Sequence, residues 1–301
     1  VRGYVELPED WERVRAEGPG PFVTREVLRR PDGTLVRWNS RCHRKASGAP
    51  ATAASGPEAR GRIWWRPRTR GWWMAVLFAI GSLCFLVGGV ASQWESSPHT
   101  AIGVVFFVGS LFFTSAGYLQ FAEAANVERG LGPRRQGRRW RPASWEPRRI
   151  DWLAALVQLV GTVLFNISTF ATLNHHLSTH QVNGRVWAPD VFGSIAFLMS
   201  SGLAFAEVCH RWVCLHRRSL SWWIVAINLL GSIAFGVSAV ASLTEPSSGE
   251  PVSARIANAG TSVGGACFLV AALMLIPEAA KARSRQAQPE PGGSAAVSSG
   301  A

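Results

Sequence analysis

The sequence predicts an all-α integral membrane fold, six transmembrane helices arranged as three repeated helical hairpins, preceded by a small N-terminal cytoplasmic β-hairpin. Three observations predict it: long apolar blocks, a one-sided distribution of arginine, and internal repetition. Nearly half of the 301 residues are hydrophobic, with 14 Trp and 15 Phe. A hydrocarbon core of about 30 Å needs roughly 20 apolar residues rising about 1.5 Å each. Six charge-poor segments meet or approach that length, near Trp72–Ser92, Ala101–Phe121, Trp152–Leu173, Asp190–Phe205, Trp222–Leu243 and Ala257–Ile276. The fourth is the shortest.

The first part of the chain, 1–48, is polar and rich in arginine. Within it TREVLRRPDGTLVRWNSRCHRK carries two β-leaning runs around Pro31-Asp32-Gly33, a turn signal that predicts a hairpin. No signal peptide is expected in a segment of that character. Residues 49–61 read as a flexible linker, rich in Ala, Gly and Pro. The hairpins follow at 62–127, 138–208 and 212–280, and the Gly/Ser/Ala/Pro-rich tail 281–301 is expected to be disordered.

Charge sets the predicted threading. Of the 31 Lys and Arg, only Arg185 and Arg255 fall in the first, third and fifth loops. All others lie in the N-terminal segment, the second and fourth loops and the tail. Because positive residues in short loops stay inside, both termini are expected in the cytoplasm of a plasma membrane. The formal charge of +12 is then an affinity for anionic headgroups, and nucleic acid is not an expected partner. Lys45 and Lys281 are the sole lysines, and a chain so biased to Arg, Ala and Gly points to a high-GC bacterial genome. The five cysteines, all in segments placed inside or within the membrane, suggest no disulfide framework.

The odd-numbered spans align on AIGSLCFLVGGVAS, LVGTVLFNISTFAT and LLGSIAFGVSAVAS. Gly81, Gly161 and Gly231 coincide, as do Phe85, Phe165 and Phe235. Trp72, Trp152 and Trp222 stand at a common distance before the glycines. The even spans align on Gly109, Gly193 and Gly264, with Phe113, Phe197 and Phe268 one turn on and Glu123, Glu207 and Glu278 near the end. Agreement at so many places reads as a triplicated two-helix unit. At about 100° per residue, Gly81, Gly88 and Ser92 share one helix face, as do Gly161, Ser168 and Thr172, and Gly231, Ser238 and Ser242. Such a small-residue stripe lets helices approach in lipid, where the apolar effect does not draw them together, with Phe expected on its flank.

A two-span unit with G-[ST]-x-x-F in one helix and G-S-x-x-F in the next resembles the small YrhK-like bacterial membrane domain. The resemblance covers roughly residues 72–123, 152–207 and 222–278 and implies an integral membrane hairpin, with no assigned activity or catalytic residue. Three tandem copies and a long basic N-terminus depart from that family's single hairpin.

The polar residues define the candidate sites. Glu123, Glu207 and Glu278 are expected to pair with the arginines that precede the hairpins, Arg68, Arg148, Arg149, Arg217 and Arg218, either fixing helix ends or closing a pseudo-threefold ring. Gln158, Asn166 and Asn228 lie inside spans and either hydrogen-bond a neighbouring helix or line a solute path. His176 and His180, spaced i, i+4, form a weak metal candidate if their segment is helical, and Cys209, His210, Cys214 and His216 a weaker one. No nucleophile elbow, phosphate-cradling loop or carboxylate dyad is visible, so no cofactor is expected. The leading expectation is a multi-pass membrane protein with a non-enzymatic structural or interaction role. A small-solute transporter or channel with pseudo-threefold repeats is the alternative, and a membrane-embedded enzyme the third reading. Expected partners are the anionic bilayer, and a second copy or a cytoplasmic protein at the N-terminal segment.

Overall fold

The computed structural model describes residues 7–47, 64–94, 98–127 and 143–286. The expected linker 49–61 and most of the tail lie outside them. Six helices are long and apolar enough to cross a membrane, as those of a multi-pass membrane protein are. They are α2 (Arg70–Ala91), α3 (His99–Ala125), α4 (Ile150–Ala171), α5 (Thr179–Cys209), α6 (Leu220–Ala241) and α7 (Ala254–Gln286). Each outlasts or matches its apolar run, and the largest difference is α5. The sequence marks only its apolar half, whereas the helix begins at a capping box between Ser178 and Gln181 and passes through a π-helical turn at Asn183–Trp187. Polar residues there conceal a helical start that a reciprocal cap stabilises.

Ahead of the spans stand three antiparallel strands, β1 (Glu12–Glu17), β2 (Arg25–Arg29) and β3 (Leu35–Asn39), in the order β1-β2-β3. The β2–β3 hairpin turns at Pro31-Asp32-Gly33, where Gly33 takes φ +82° and Thr34 donates its N–H to Asp32. The expected hairpin is therefore extended by a third strand. β1 escapes sequence detection because ERVRAE alternates weakly, but pairing supplies what patterning lacks, and Arg13 reaches the fully buried Glu26 at 2.8 Å. The chain then enters α1 (Ser40–Ser47), in a stretch where no helix was expected. Asn39 caps it, its side-chain oxygen accepting the Cys42 N–H.

The six helices form a closed ring. Each packs on its sequence neighbours, and α7 closes against α2. Exposed apolar side chains such as Val87, Ile167, Met199 and Val240 cover its outer surface, where hydrocarbon would meet them. The interior is aromatic. Phe85, Phe165 and Phe235 form a closed triad with centroid separations of 6.2, 5.6 and 5.8 Å. Phe113, Phe197 and Phe268 form a second, at 6.3, 5.8 and 5.8 Å. The triads touch within each hairpin, at 5.6 Å for Phe85–Phe113, 4.9 Å for Phe165–Phe197 and 5.3 Å for Phe235–Phe268. All six are at least 94% buried.

The phenylalanines therefore occupy the axis of the ring, which corrects the expectation that they fill the flank of a glycine stripe. The glycines make room for them. A Cβ on Gly161 would lie 2.9 Å from the Phe197 ring, and one on Gly193 the same distance from Phe165. In α2 and α3 the backbones themselves meet, since a Cβ on Gly81 would come within 2.9 Å of the Gly109 carbonyl. Further along the stripe, Gly88 accommodates Phe106, while Ser168 and Ser238 donate to the carbonyls of Val186 and Ala257 in the partner helix. Ser92, Thr172 and Ser242 end the stripe half-buried, each turning its hydroxyl to its own helix's carbonyls.

Candidate functional site

The end of the ring beside the sheet, the basic end, gathers most of the buried charge. Glu123, Glu207 and Glu278 come from α3, α5 and α7, every second helix of the ring, and all three converge on α1. Arg41 grips Glu278 through Nε at 2.7 Å and Nη2 at 3.0 Å. Arg44 donates to both oxygens of Glu207 at 3.1 and 3.0 Å and reaches Asp151 of α4 at 2.9 Å. Lys45 reaches Glu123 at 3.3 Å, and Ser40 adds a 2.7 Å hydrogen bond to Glu207. Arg149 completes the set by pairing with Asp151 at 2.6 Å. To touch three alternate helices of a ring, an eight-residue helix must lie across its mouth.

This changes the partners expected of the glutamates. Arg68, Arg148, Arg217 and Arg218 stand exposed, and among the described residues none of them pairs with a Glu of the ring. The cations come from α1 because its Arg41, Arg44 and Lys45, at i, i+3 and i+4, share one face that can be buried as a unit. That R-x-x-R-K spacing was visible in the sequence. Its destination was not.

Four buried carboxylates face four cations, so the mouth is balanced in charge. Burial works against the charge on Arg44, but the attraction of Glu207, Asp151 and Glu123 overrides it and raises its pKa above the ordinary arginine value. Arg41 is raised in the same way, burial being outweighed chiefly by Glu278. Both remain charged at any accessible pH.

The sheet is fixed beside this mouth by His210. The residue closes α5 in the left-handed conformation, φ 56°, a position where glycine is the usual occupant. Its ring explains why a side chain stays there. Asn39 Nδ2 donates to Nε2 at 3.0 Å, so Nδ1 carries the proton and faces the Thr24 hydroxyl at 2.9 Å. Burial first, then Arg25 and His216, push the His210 pKa below its ordinary value against the pull of Glu207 and Glu17. A protonated ring would donate from both nitrogens and lose Asn39, which cannot turn its oxygen over without uncapping α1. An undocked His210 titrates near 6.5, and a docked one only at lower pH. Docking of the sheet is thus fully stable above that value and weakens as pH falls below it. The expected result is faster proteolytic cleavage of the 7–47 segment near pH 5.5 than near pH 7.5, a change absent from His210→Asn. Equal acid loosening in both proteins would refute the role given to the ring.

The other candidates fall apart on inspection. His176 lies in a turn and His180 in the first turn of α5, so the helical i, i+4 geometry is missing; among the described residues no group of three His, Cys, Asp or Glu could hold a metal. Cys209 and Cys214 are joined in a disulfide, contrary to the expectation of free thiols throughout. The reversal at His210 brings their Cα atoms to 5.4 Å, within disulfide reach.

The three amides do not form a path. Gln158 accepts hydrogen bonds from Gln120 of α3 at 3.1 Å and Ser200 of α5 at 3.2 Å, and Asn228 donates to Ser201 of α5 at 2.9 Å. Asn166 donates to Thr114 of α3 at 2.8 Å, and its buried side-chain oxygen has no hydrogen-bond partner among the described residues. Gln158 and Asn228 do line a cavity of about 90 Å³ between α1 and the second Phe triad, bounded by Phe113, Phe268, Arg44 and Glu207. Asn166 is not on its wall. Comparisons of the chain with family models, with curated proteins and with solved structures find no match in any of the three.

Proposed function

We propose that the chain is a sealed membrane scaffold, a non-enzymatic multi-pass protein that holds its N-terminal sheet and α1 against the cytoplasmic face of a bacterial plasma membrane. In this reading three tandem YrhK-like hairpins form the ring, both termini are cytoplasmic, and the docked sheet is the surface offered to a protein partner or a second copy. The observation that carries it is the pair of closed phenylalanine triads on the axis. A conducting path needs water or polar groups to replace a solute's hydration, and six packed rings supply neither.

A transporter is the second reading, favoured by the cavity that Gln158 and Asn228 line beneath α1. The full chain reconstituted in liposomes separates the two. Potassium and proton fluxes are expected to equal those of protein-free liposomes. Flux clearly above that background from the wild-type protein would sink the scaffold reading and favour transport.

A further inference from the structure

A second recess lies at the basic end, with Glu278 of the glutamate ring on its wall. It has a volume of about 590 Å³ and opens between α1, the start of α6 and the end of α7. The repeat explains its origin. In the first two hairpins Trp65 and Trp145 pack edge-on against Trp72 and Trp152, each at 5.2 Å. The residue at the same place before Trp222 is Leu215. Pro67 and Pro147 are likewise replaced by Arg217. The third hairpin thus lacks the aromatic pair and gains a cation two residues further on.

The walls are basic. Arg41 and Lys45 are already engaged by Glu278 and Glu123, whereas Arg217, Arg218 and Lys281 have no carboxylate partner among the described residues. Ser219, Leu220 and Ser221 at the start of α6 line the same space, so a helix of 22 residues presents its positive end there. Beside the recess the chain exposes Trp212 at 58%, Val213 at 76% and Leu215 at 65%. Bulky apolar side chains next to a cationic cleft suit the boundary between headgroups and acyl chains, where a basic pocket against transmembrane helices takes phosphate-bearing heads.

We propose that this recess binds the phosphate of an anionic phospholipid, its acyl chains lying along the exposed apolar loop. The assignment stands whether the bundle is sealed or conducts. The full chain in mild detergent can be titrated with phosphatidylglycerol, with phosphatidylcholine of the same acyl chains, and with inorganic phosphate, and retention read by native mass spectrometry. Phosphatidylglycerol is expected to be retained at least about tenfold more than phosphatidylcholine. Arg217→Ala with Arg218→Ala should weaken it roughly thirtyfold, roughly fivefold for each cation lost from an anionic contact. Leu215→Trp, which restores the tryptophan of the other hairpins and keeps every charge, should also weaken retention by filling the recess, while Arg217→Lys preserves it. Arg68→Ala and Arg148→Ala, at the equivalent places in the other hairpins, should change nothing. Equal retention of the two lipids, or wild-type retention in both the double-alanine and Leu215→Trp proteins, would overturn the proposal. Binding of inorganic phosphate without lipid selectivity would overturn the lipid assignment and give the recess to a soluble phosphate compound.

Discussion

Arg44→Ala is expected to release α1 from the mouth of the bundle. The guanidinium bridges Glu207 of α5 and Asp151 of α4. Without it Asp151 keeps Arg149 and Glu207 keeps the Ser40 hydroxyl, but one full negative charge stays buried without a counterion. Breaking a buried pair from one side costs about 3–5 kcal/mol, which is large against the modest area an eight-residue helix buries. The segment 7–47 should then be cut by protease many times faster than in the wild-type protein, while the six-helix bundle stays intact. The reciprocal variant supplies the control. Arg44→Ala combined with Glu207→Gln removes both charges, and should recover much of the loss. Cleavage of the single variant at the wild-type rate would mean that α1 is held by something other than this pair.

The second large effect is expected inside the ring. Phe235→Ala removes a ring that touches Phe85 at 5.6 Å, Phe165 at 5.8 Å and Phe268 at 5.3 Å. The vacated space lies on the axis, bounded by other aromatic rings and by helices held at glycine contacts, so it collapses poorly. Large-to-small changes of this kind cost about 3–5 kcal/mol in soluble cores. Much of that cost is lost dispersion, which lipid around the bundle does not replace. Val240, 70% exposed on the outer surface of the same helix, is the comparison; Val240→Ala should cost less than about 0.5 kcal/mol. Detergent-titration unfolding would read both. A Phe235→Ala protein as stable as Val240→Ala would show that the triads are not the core of the fold.

How much of this was legible depends on the distance over which each signal acts. The spans could be placed because hydrocarbon thickness sets a length that the apolar runs must meet. The glycine and phenylalanine positions could be paired across hairpins because repetition makes equivalent residues stand out. Their roles were less legible. A helical period says that Gly81 and Gly88 share a face, but it does not say whether the neighbouring Phe lies beside that face or along the axis. That depends on how many helices surround it, and a ring of six leaves an interior that only the phenylalanines fill. Asn166 shows the same limit from the other side: the sequence marks it as unlike Leu86 and Gly236, and the fold gives its amide a Thr114 hydroxyl while leaving its oxygen without a partner among the described residues.

The candidate site was half readable. Three glutamates at equivalent positions announced a set, and nearby arginines were the natural partners by sequence distance. In the folded chain Arg68, Arg148, Arg217 and Arg218 stand exposed and the buried Arg149 pairs with Asp151, while the counterions arrive from 163 residues away for Arg44–Glu207 and 237 for Arg41–Glu278. Ion pairs between buried groups are chosen by what can be desolvated together. A short helix with three cations on one face satisfies three inward carboxylates at once, whereas Arg68, Arg148, Arg217 and Arg218 at the hairpin starts stay exposed.

By itself, then, the sequence determined the number of apolar spans, their order and the small-residue faces, because the length of an apolar run and the helical period act on contiguous residues. The tertiary structure alone decided that α7 closes on α2, that the phenylalanines pack along the axis, and that α1 supplies the charges at the mouth. Those outcomes rest on contacts between segments far apart in the chain, whose partners are settled by shared burial.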